Sequence, residues 1–315
     1  MHMVFPLLVS FIIVFLIVPV LQRYAKQIGF VDQPSKRKIH NDPIPLMGGI
    51  AIYLGCMISI LIFVPTNPTS LAIMLGGTIL MLTGLLDDWF KTKGKEFPVW
   101  PRILIYGVVS SIPIWFGIEI TGMSNWKFDD MIVFPEWLAW TATIIWVFAI
   151  TNMINFIDGV DGLASGIVTI SSFTLFIIAA LMGNMPLAML AGVLVGSCLA
   201  FLTYNFYPAK IFMGDAGAVF LGYTIAVISI NGAFKSATVL SLFVPVLVLG
   251  VPILDTAIVF MRRLLKGQGL HKADKLHTHH SLMKWGLNQR QTVTFLYLIG
   301  IVFALLSIII VLLIR

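Results

Sequence analysis

Asn152, Asn155, Asp158 and Asp161 recur at every third position, with Gly159 and Gly162 between and behind the acids, directly after the apolar stretch Leu138–Ile150. Polar and ionised side chains at the edge of so apolar a segment are costly unless a cation or a hydroxylated ligand uses them. Asp161 alone would suffice to cap a following helix, so four such residues exceed that need. The pattern recurs at Asp87-Asp88, after Met74–Leu86, and at Gly214-Asp215-Ala216-Gly217, after Pro186–Phe206. Adjacent carboxylates repel, so Asp87-Asp88 calls for a cation or a phosphate network, and Lys91, Lys93 and Lys95 follow at once. The Gly-Asp-Ala-Gly stretch reads as a turn and lacks the spacing and the Lys-Ser/Thr of a P-loop. Oxygen donors of this kind suit a hard divalent cation, Mg²⁺ first with Mn²⁺ as a substitute, held by one or two carboxylates plus substrate phosphates. Asp215 and Asn155 are the candidate metal ligands, and Asp87, Asp88, Asp158 and Asp161 the candidate catalytic acids.

Two further groups carry candidate binding residues. His277, His279 and His280 lie near Lys272, Lys275 and Lys284 with no Cys close by. That setting suits phosphate oxygens or sugar hydroxyls better than zinc, which prefers thiolate or His-Glu-x-x-His spacing. Arg37 and His40 open a Pro- and Gly-rich loop that runs to Gly49. Asp255 sits inside an apolar run, and Arg262 lies two turns on along the same helical face, so an Asp255–Arg262 pair is the plain expectation. Gly250 and Pro252 should break that helix.

The elements that must position these residues are membrane helices. Hydrophobic residues make up 59% of the 315, charged residues 11%, and mean hydropathy is +0.99. A soluble domain carries about 25% charge, so the chain reads as an all-α, polytopic membrane protein. At ~20 residues per crossing, ten spans are expected: Val4–Leu21, Leu46–Val64, Ser70–Leu86, Arg102–Ile118, Leu138–Met153, Leu163–Met182, Leu187–Phe206, Val219–Asn231, Thr238–Phe260 and Thr292–Leu313. The first has no basic residues ahead of it and does not read as a cleavable signal peptide. Seventeen of the twenty Lys and Arg fall in loops on one side, leaving only Lys127, Lys235 and Arg315 on the other. The rich side is therefore cytoplasmic and both termini are extracytoplasmic. All the candidate site residues map to the rich side, as one domain over residues 1–315. The net charge of +6 is a topology signal and does not point to nucleic acid.

Taken together these residues resemble the polyprenyl-phosphate N-acetylhexosamine-1-phosphate transferase superfamily, glycosyltransferase family 4. Five motifs appear in family order between Arg37 and His280. The Arg-Lys-x-His-x-x-Pro-x-Pro-x-x-Gly-Gly pattern at Arg37–Gly49 and the Asp274-x-x-His277-x-His279-His280 pattern are similar to the TagO/WecA branch. Thr278 interrupts the triple His of the phospho-MurNAc-pentapeptide translocases, the nearest alternative. Ser281 and Ala218 stand where relatives often carry Arg and Ser. The resemblance implies transfer of HexNAc-1-phosphate, GlcNAc foremost, from a UDP-sugar to undecaprenyl phosphate with Mg²⁺. Such a reaction is a first membrane step of teichoic acid or surface polysaccharide synthesis. It implies contacts from Arg37, His40, Asn152, Asn155 and the three His to substrate, membrane lipids as neighbours, and room for a homodimer. An ion-coupled transporter, the rival from another class, would need acids deep in the spans and inverted repeats.

Overall fold

The computed structural model describes residues 3–34, 42–124, 131–233, 243–265 and 277–314. Arg37, His40, Lys272, Asp274 and Lys275 lie outside the described residues. The fold is mostly helical: α1 (Val4–Ile28), α2 (Gly48–Phe63), α3 (Pro68–Thr92), α4 (Val99–Trp115), α5 (Glu136–Ile157), α6 (Leu163–Leu181), α7 (Met185–Asn205), α8 (Gly214–Ala233), α9 (Phe243–Val248), α10 (Gly250–Leu265), α11 (Thr278–Lys284) and α12 (Gln289–Ile314). Two short antiparallel pairs join them: β1 (Val31–Asp32) with β2 (Ile44–Pro45), and β3 (Gly122–Ser124) with β4 (Met131–Val133).

Among the described residues seven helices are long and apolar enough to cross a membrane: α1, α3, α5, α6, α7, α8 and α12. α2 and α4 are apolar but shorter. Burial ranks the seven. The apolar window of α8 is 89% buried, against 22% for α1 and 17% for α12. α8 is thus the central post, while α1 and α12 turn large apolar side chains such as Leu16 and Leu298 outward. That distribution suits lipid, where an apolar exterior costs nothing. The closest packing partners of α8 are α3 and α5, and these are the helices that carry Asp87, Asp88 and Asn155.

Local chemistry sets the helix ends. Asn67 starts α3 with a reciprocal cap, its Oδ1 accepting from Ser70 N at 3.0 Å and its own N–H donating to Ser70 Oγ at 3.0 Å, while Pro68 needs no donor there. The long apolar run of the ninth expected span breaks where Gly250 and Pro252 suggested, between α9 and α10. Pro252 has no N–H for the Val248 carbonyl four residues back. Ser171 Oγ of α6 donates to that carbonyl instead, at 2.6 Å, so no backbone acceptor is stranded.

Several extents differ from expectation. α3 runs on past Asp87-Asp88 to Thr92, and α5 runs through Asn152 and Asn155 to Ile157. Asp87, Asp88, Asn152 and Asn155 therefore lie within the last two turns of their helices. Gly214–Gly217 is the first turn of α8, where the sequence suggested a separate turn. The cause is the same in each case: a helix continues while its backbone hydrogen bonds continue, whatever the polarity of its side chains. At the opposite end of the bundle, the starts of α3 and α7 and the ends of α4 and α8 line a cavity of about 220 Å³ that includes Asn67, Asn184 and Asn231.

Candidate active site

Three buried helix ends bring the acids together. Asp87 and Asp88 on α3 are 2% and 0% exposed, and Asp215 opens α8. Lys91, one turn after the pair, reaches all three: its Nζ lies 2.7 Å from Asp215 Oδ2, 3.8 Å from Asp87 Oδ2 and 3.9 Å from Asp88 Oδ1. Arg102, in the first turns of α4, donates from Nη1 to Asp87 Oδ2 at 3.0 Å. Asn155 donates from Nδ2 to Asp215 Oδ1 at 3.2 Å. Buried carboxylates persist only when paired and hydrogen-bonded, and these are.

The two adjacent acids have different surroundings. Asp88 accepts from two backbone amides at the start of α8, Asp215 N at 2.9 Å and Ala216 N at 3.0 Å. The first amides of a helix have no partner within it, and a carboxylate there also meets the positive end of the helix dipole. Gly214 makes this approach workable: its φ is +72°, and a Cβ would stand 2.4 Å from Asp88 Oδ2. Asp88 therefore caps a helix 127 residues away and fixes where Asp215 points. Asp87 instead faces Arg102 and Lys91.

The loop between α5 and α6 lies at the same end. Loss of water around Asp158, then the negative charges of Asp215 and Asp88, push its carboxyl well above the usual carboxylate range. Asp161 Oδ2 accepts from Ala209 N at 3.0 Å, so it holds the loop after α7 and does not cap α6. The α6 cap is Gly162, at φ 78°. Asn205 organises this corner, and the sequence pattern did not single it out. Its Oδ1 accepts from Gly162 N at 3.0 Å and Ser165 Oγ at 3.1 Å, and its Nδ2 donates to Ile211 O at 3.0 Å. Tyr297 of α12, also unforeseen, donates to Gly162 O at 2.5 Å. Asn152 turns back on its own helix, donating from Nδ2 to Phe148 O at 2.7 Å, and is not joined to the described acids.

The histidines meet this loop from the other side. His277 lies with ring centroid 6.0 Å from Phe156 and stacks on His279 at 5.6 Å and 6°. His280 lies 4.3 Å beyond His279. His279 is 1% exposed, neither ring nitrogen has a hydrogen-bond partner, and a Cβ on Gly159 would come within 3.5 Å of its Nε2. Burial first, then His280, pushes His279 down to about 4, so it is a neutral ring at ordinary pH. Asp255 differs from the expected Arg262 pairing: it holds His277 and Thr278, while Arg262 Nη1 donates to Ser281 Oγ at 2.6 Å. A same-face spacing within one helix lost to a segment brought in by the fold.

The donor set fits a hard divalent cation in a particular way. Among the described residues no group of three or more His, Cys, Asp or Glu is arranged to hold a metal ion. The acids instead already share one cation, the Lys91 ammonium. A site of this kind offers one partly exposed carboxylate, Asp215, and a neighbouring amide, and the remaining coordination would fall to water and substrate phosphate. That is the usual habit of Mg²⁺. Arg37 and His40, the other candidate substrate contacts, lie outside the described residues.

Residues 70–233 match the family described as Glycosyl transferase family 4. The chain is 40% identical over 305 residues to a "Probable undecaprenyl-phosphate N-acetylglucosaminyl 1-phosphate transferase" of Bacillus subtilis, covering 96% of this chain and 83% of the relative. It is 31% identical over 312 residues to a "Decaprenyl-phosphate N-acetylglucosaminephosphotransferase" of Mycobacterium leprae, covering 88% and 76%. With the "Undecaprenyl-phosphate alpha-N-acetylglucosaminyl 1-phosphate transferase" of Escherichia coli it shares 28% over 276 residues, covering 86% and 73%. A helical bundle that joins its acids across α3, α5 and α8, within the matched residues, is thus no isolated design: the chain belongs to glycosyl transferase family 4.

Proposed function

We propose that this chain transfers an N-acetylhexosamine 1-phosphate, GlcNAc 1-phosphate by preference, from a UDP-sugar to undecaprenyl phosphate and releases UMP. The observation that carries the reading is the meeting of Asp87, Asp88, Asn155 and Asp215 around Lys91 at one end of an apolar bundle. The names of the relatives support a polyprenyl-phosphate acceptor and GlcNAc 1-phosphate as the group transferred, and favour neither a pentapeptide translocase nor a transporter. In this reading the whole chain is one catalytic domain of ten crossings, with both termini outside and the acids at the cytoplasmic face. The one-sided distribution of Lys and Arg supports that orientation. The product would feed a teichoic acid or other surface polysaccharide.

The chemistry follows from the charges. An oxygen of the lipid phosphate attacks the β-phosphorus of the UDP-sugar, and the bond from that phosphorus to the bridging oxygen breaks, leaving with UMP. Both reactants are anionic, so positioning and charge stabilisation carry most of the catalysis. A phosphate monoester has a second pKa of about 6 and is largely dianionic at pH 7, so it is a competent nucleophile without a base. Asp87, locked by Arg102, orients the arriving head group, and Lys91 moves from the carboxylates to phosphate oxygens. Asp215, with Asn155, would hold Mg²⁺, or Mn²⁺ in its place. When bound, that ion supplies charge neutralisation at the diphosphate. The bent α9–α10 pair, with Leu254, Ile258 and Met261 exposed along one face, gives the lipid tail an apolar flank.

Purified protein in lipid nanodiscs, given undecaprenyl phosphate and a panel of UDP-sugars, should release UMP with UDP-GlcNAc and require both lipid and Mg²⁺. Release of CMP from a cytidine diphosphate donor, or no nucleotide release at all, overturns the assignment. In the same preparation Asp88→Ala should lower stability by about 0.5–2 kcal/mol, the range for a lost helix cap, and should also slow UMP release because Asp215 loses its anchor. An unchanged thermal midpoint would show that the cap is dispensable.

A further inference from the structure

Asp255 is a carboxylate in the apolar helix α10, 5% exposed, and such a group is costly to bury without a partner. Both of its oxygens are turned to one short segment. Oδ2 lies 2.7 Å from His277 Nδ1, and Oδ1 accepts from Thr278 N at 2.6 Å. An ionised carboxylate only accepts, so the hydrogen in the side-chain contact belongs to His277 Nδ1. Nε2 is then the one ring nitrogen left for a ligand, and the opposite nitrogen's bond sets both tautomer and ring direction. His277 keeps 15% side-chain exposure while Asp255 keeps 6%, so the open edge of the pair belongs to the imidazole. The ring is held further by its stacking on His279 and its contact with Phe156, next in sequence to Asn155. A second tie from α10, Arg262 Nη1 to Ser281 Oγ at 2.6 Å, fixes α11 in the same direction.

We propose that Asp255 is a positioning residue: it fixes His277 as the Nδ1–H form and aims Nε2 at the sugar diphosphate beside Asn155 and Asp215. The role rests on the transferase reading for its kinetic consequence, though not for the Asp255–His277 pair itself. Asp255→Ala and His277→Ala should each lower kcat for UMP release on the order of 10–100-fold, as for carboxylates that orient metal-bound histidines. The KM for UDP-GlcNAc should stay within about threefold, since a misaimed ring costs more in the transition state than in the ground state. The double variant should be no slower than the slower single one, because the two residues act as a unit. Asp255→Asn keeps one acceptor and should fall between wild type and Asp255→Ala, and it serves as the working variant if the alanine protein does not fold.

Nitrogen-15 spectra of histidine-labelled wild-type protein should show a proton on His277 Nδ1, and Asp255→Ala should shift the ring toward the Nε2–H form. A bare Nδ1 in the wild type, a kcat within twofold of wild type in Asp255→Ala, or additive losses in the double variant would each overturn the proposal. If the wild type releases no UMP, the transferase reading fails, and the nitrogen-15 spectra alone decide whether Asp255 sets the ring.

Discussion

Asp215→Asn is expected to lower UMP release by at least about 10²–10³-fold, the scale for deleting one preorganised electrostatic group at a reacting centre. The change is one atom, and the backbone amide of residue 215 still reaches Asp88. What disappears is the charge that Lys91 meets at 2.7 Å and that Asn155 donates to at 3.2 Å. An asparagine offers one weak acceptor where a divalent ion and an ammonium both want an anion. The folded protein should survive, because Asp88 still caps α8 and the surrounding apolar contacts are untouched. The decisive measurement is turnover against Mg²⁺ concentration at saturating substrates, with a thermal melt as the folding control. Near-normal, Mg²⁺-dependent turnover would remove Asp215 from the site.

The second large effect belongs to Asp87. Asp87→Asn should cost about 10²-fold in kcat, the scale for misplacing a reacting group by about 1 Å. The loss should be nearly the same at every pH between 6 and 8.5. Arg102 at 3.0 Å and Lys91 at 3.8 Å fix the direction of the Asp87 carboxylate, the setting of a group that positions an arriving head group. The lipid phosphate has a second pKa of about 6 and brings its own anionic oxygen. A base role would instead show as a loss that deepens toward pH 6, where the lipid is partly monoanionic. A covalent role would show as a burst of UMP, equal to the enzyme, from UDP-sugar without lipid. Rate profiles of wild type and variant, with one acceptor-free reaction, separate the three.

The convergence of acids was legible in the sequence because apolar runs that finish on Asp or Asn advertise their cost. Helix extent was less legible. Hydropathy changes at Asp87, but α3 continues through Trp89 and Phe90 to Thr92, since backbone bonding does not stop at the first charge. Asn205 and Tyr297 were invisible for another reason. Each looks like an ordinary polar residue at or within an apolar helix, and each bonds a backbone group of Gly162, 43 and 135 positions away. No local spacing encodes such a partner. Asp255 shows the converse, where a correct local rule pointed to Arg262 but a chain segment 22 residues on supplied His277. The short α11 was missed because seven residues give no readable periodicity.

Lys91 also bears on how the protein is made. α3 emerges from the ribosome long before α8, and Asp88 must wait 127 residues for the amide it will cap. At synthesis rates of about 5–20 residues per second, that gap lasts roughly 6–25 s. During that interval Asp87 and Asp88 face the membrane boundary without their distant partners. Lys91 is three and four residues away, so its pairing needs only the helix itself, and it is available as soon as that turn forms. The residue that later sits at the centre of the finished cluster is thus also the escort that lets α3 enter the bilayer edge with two acids aboard.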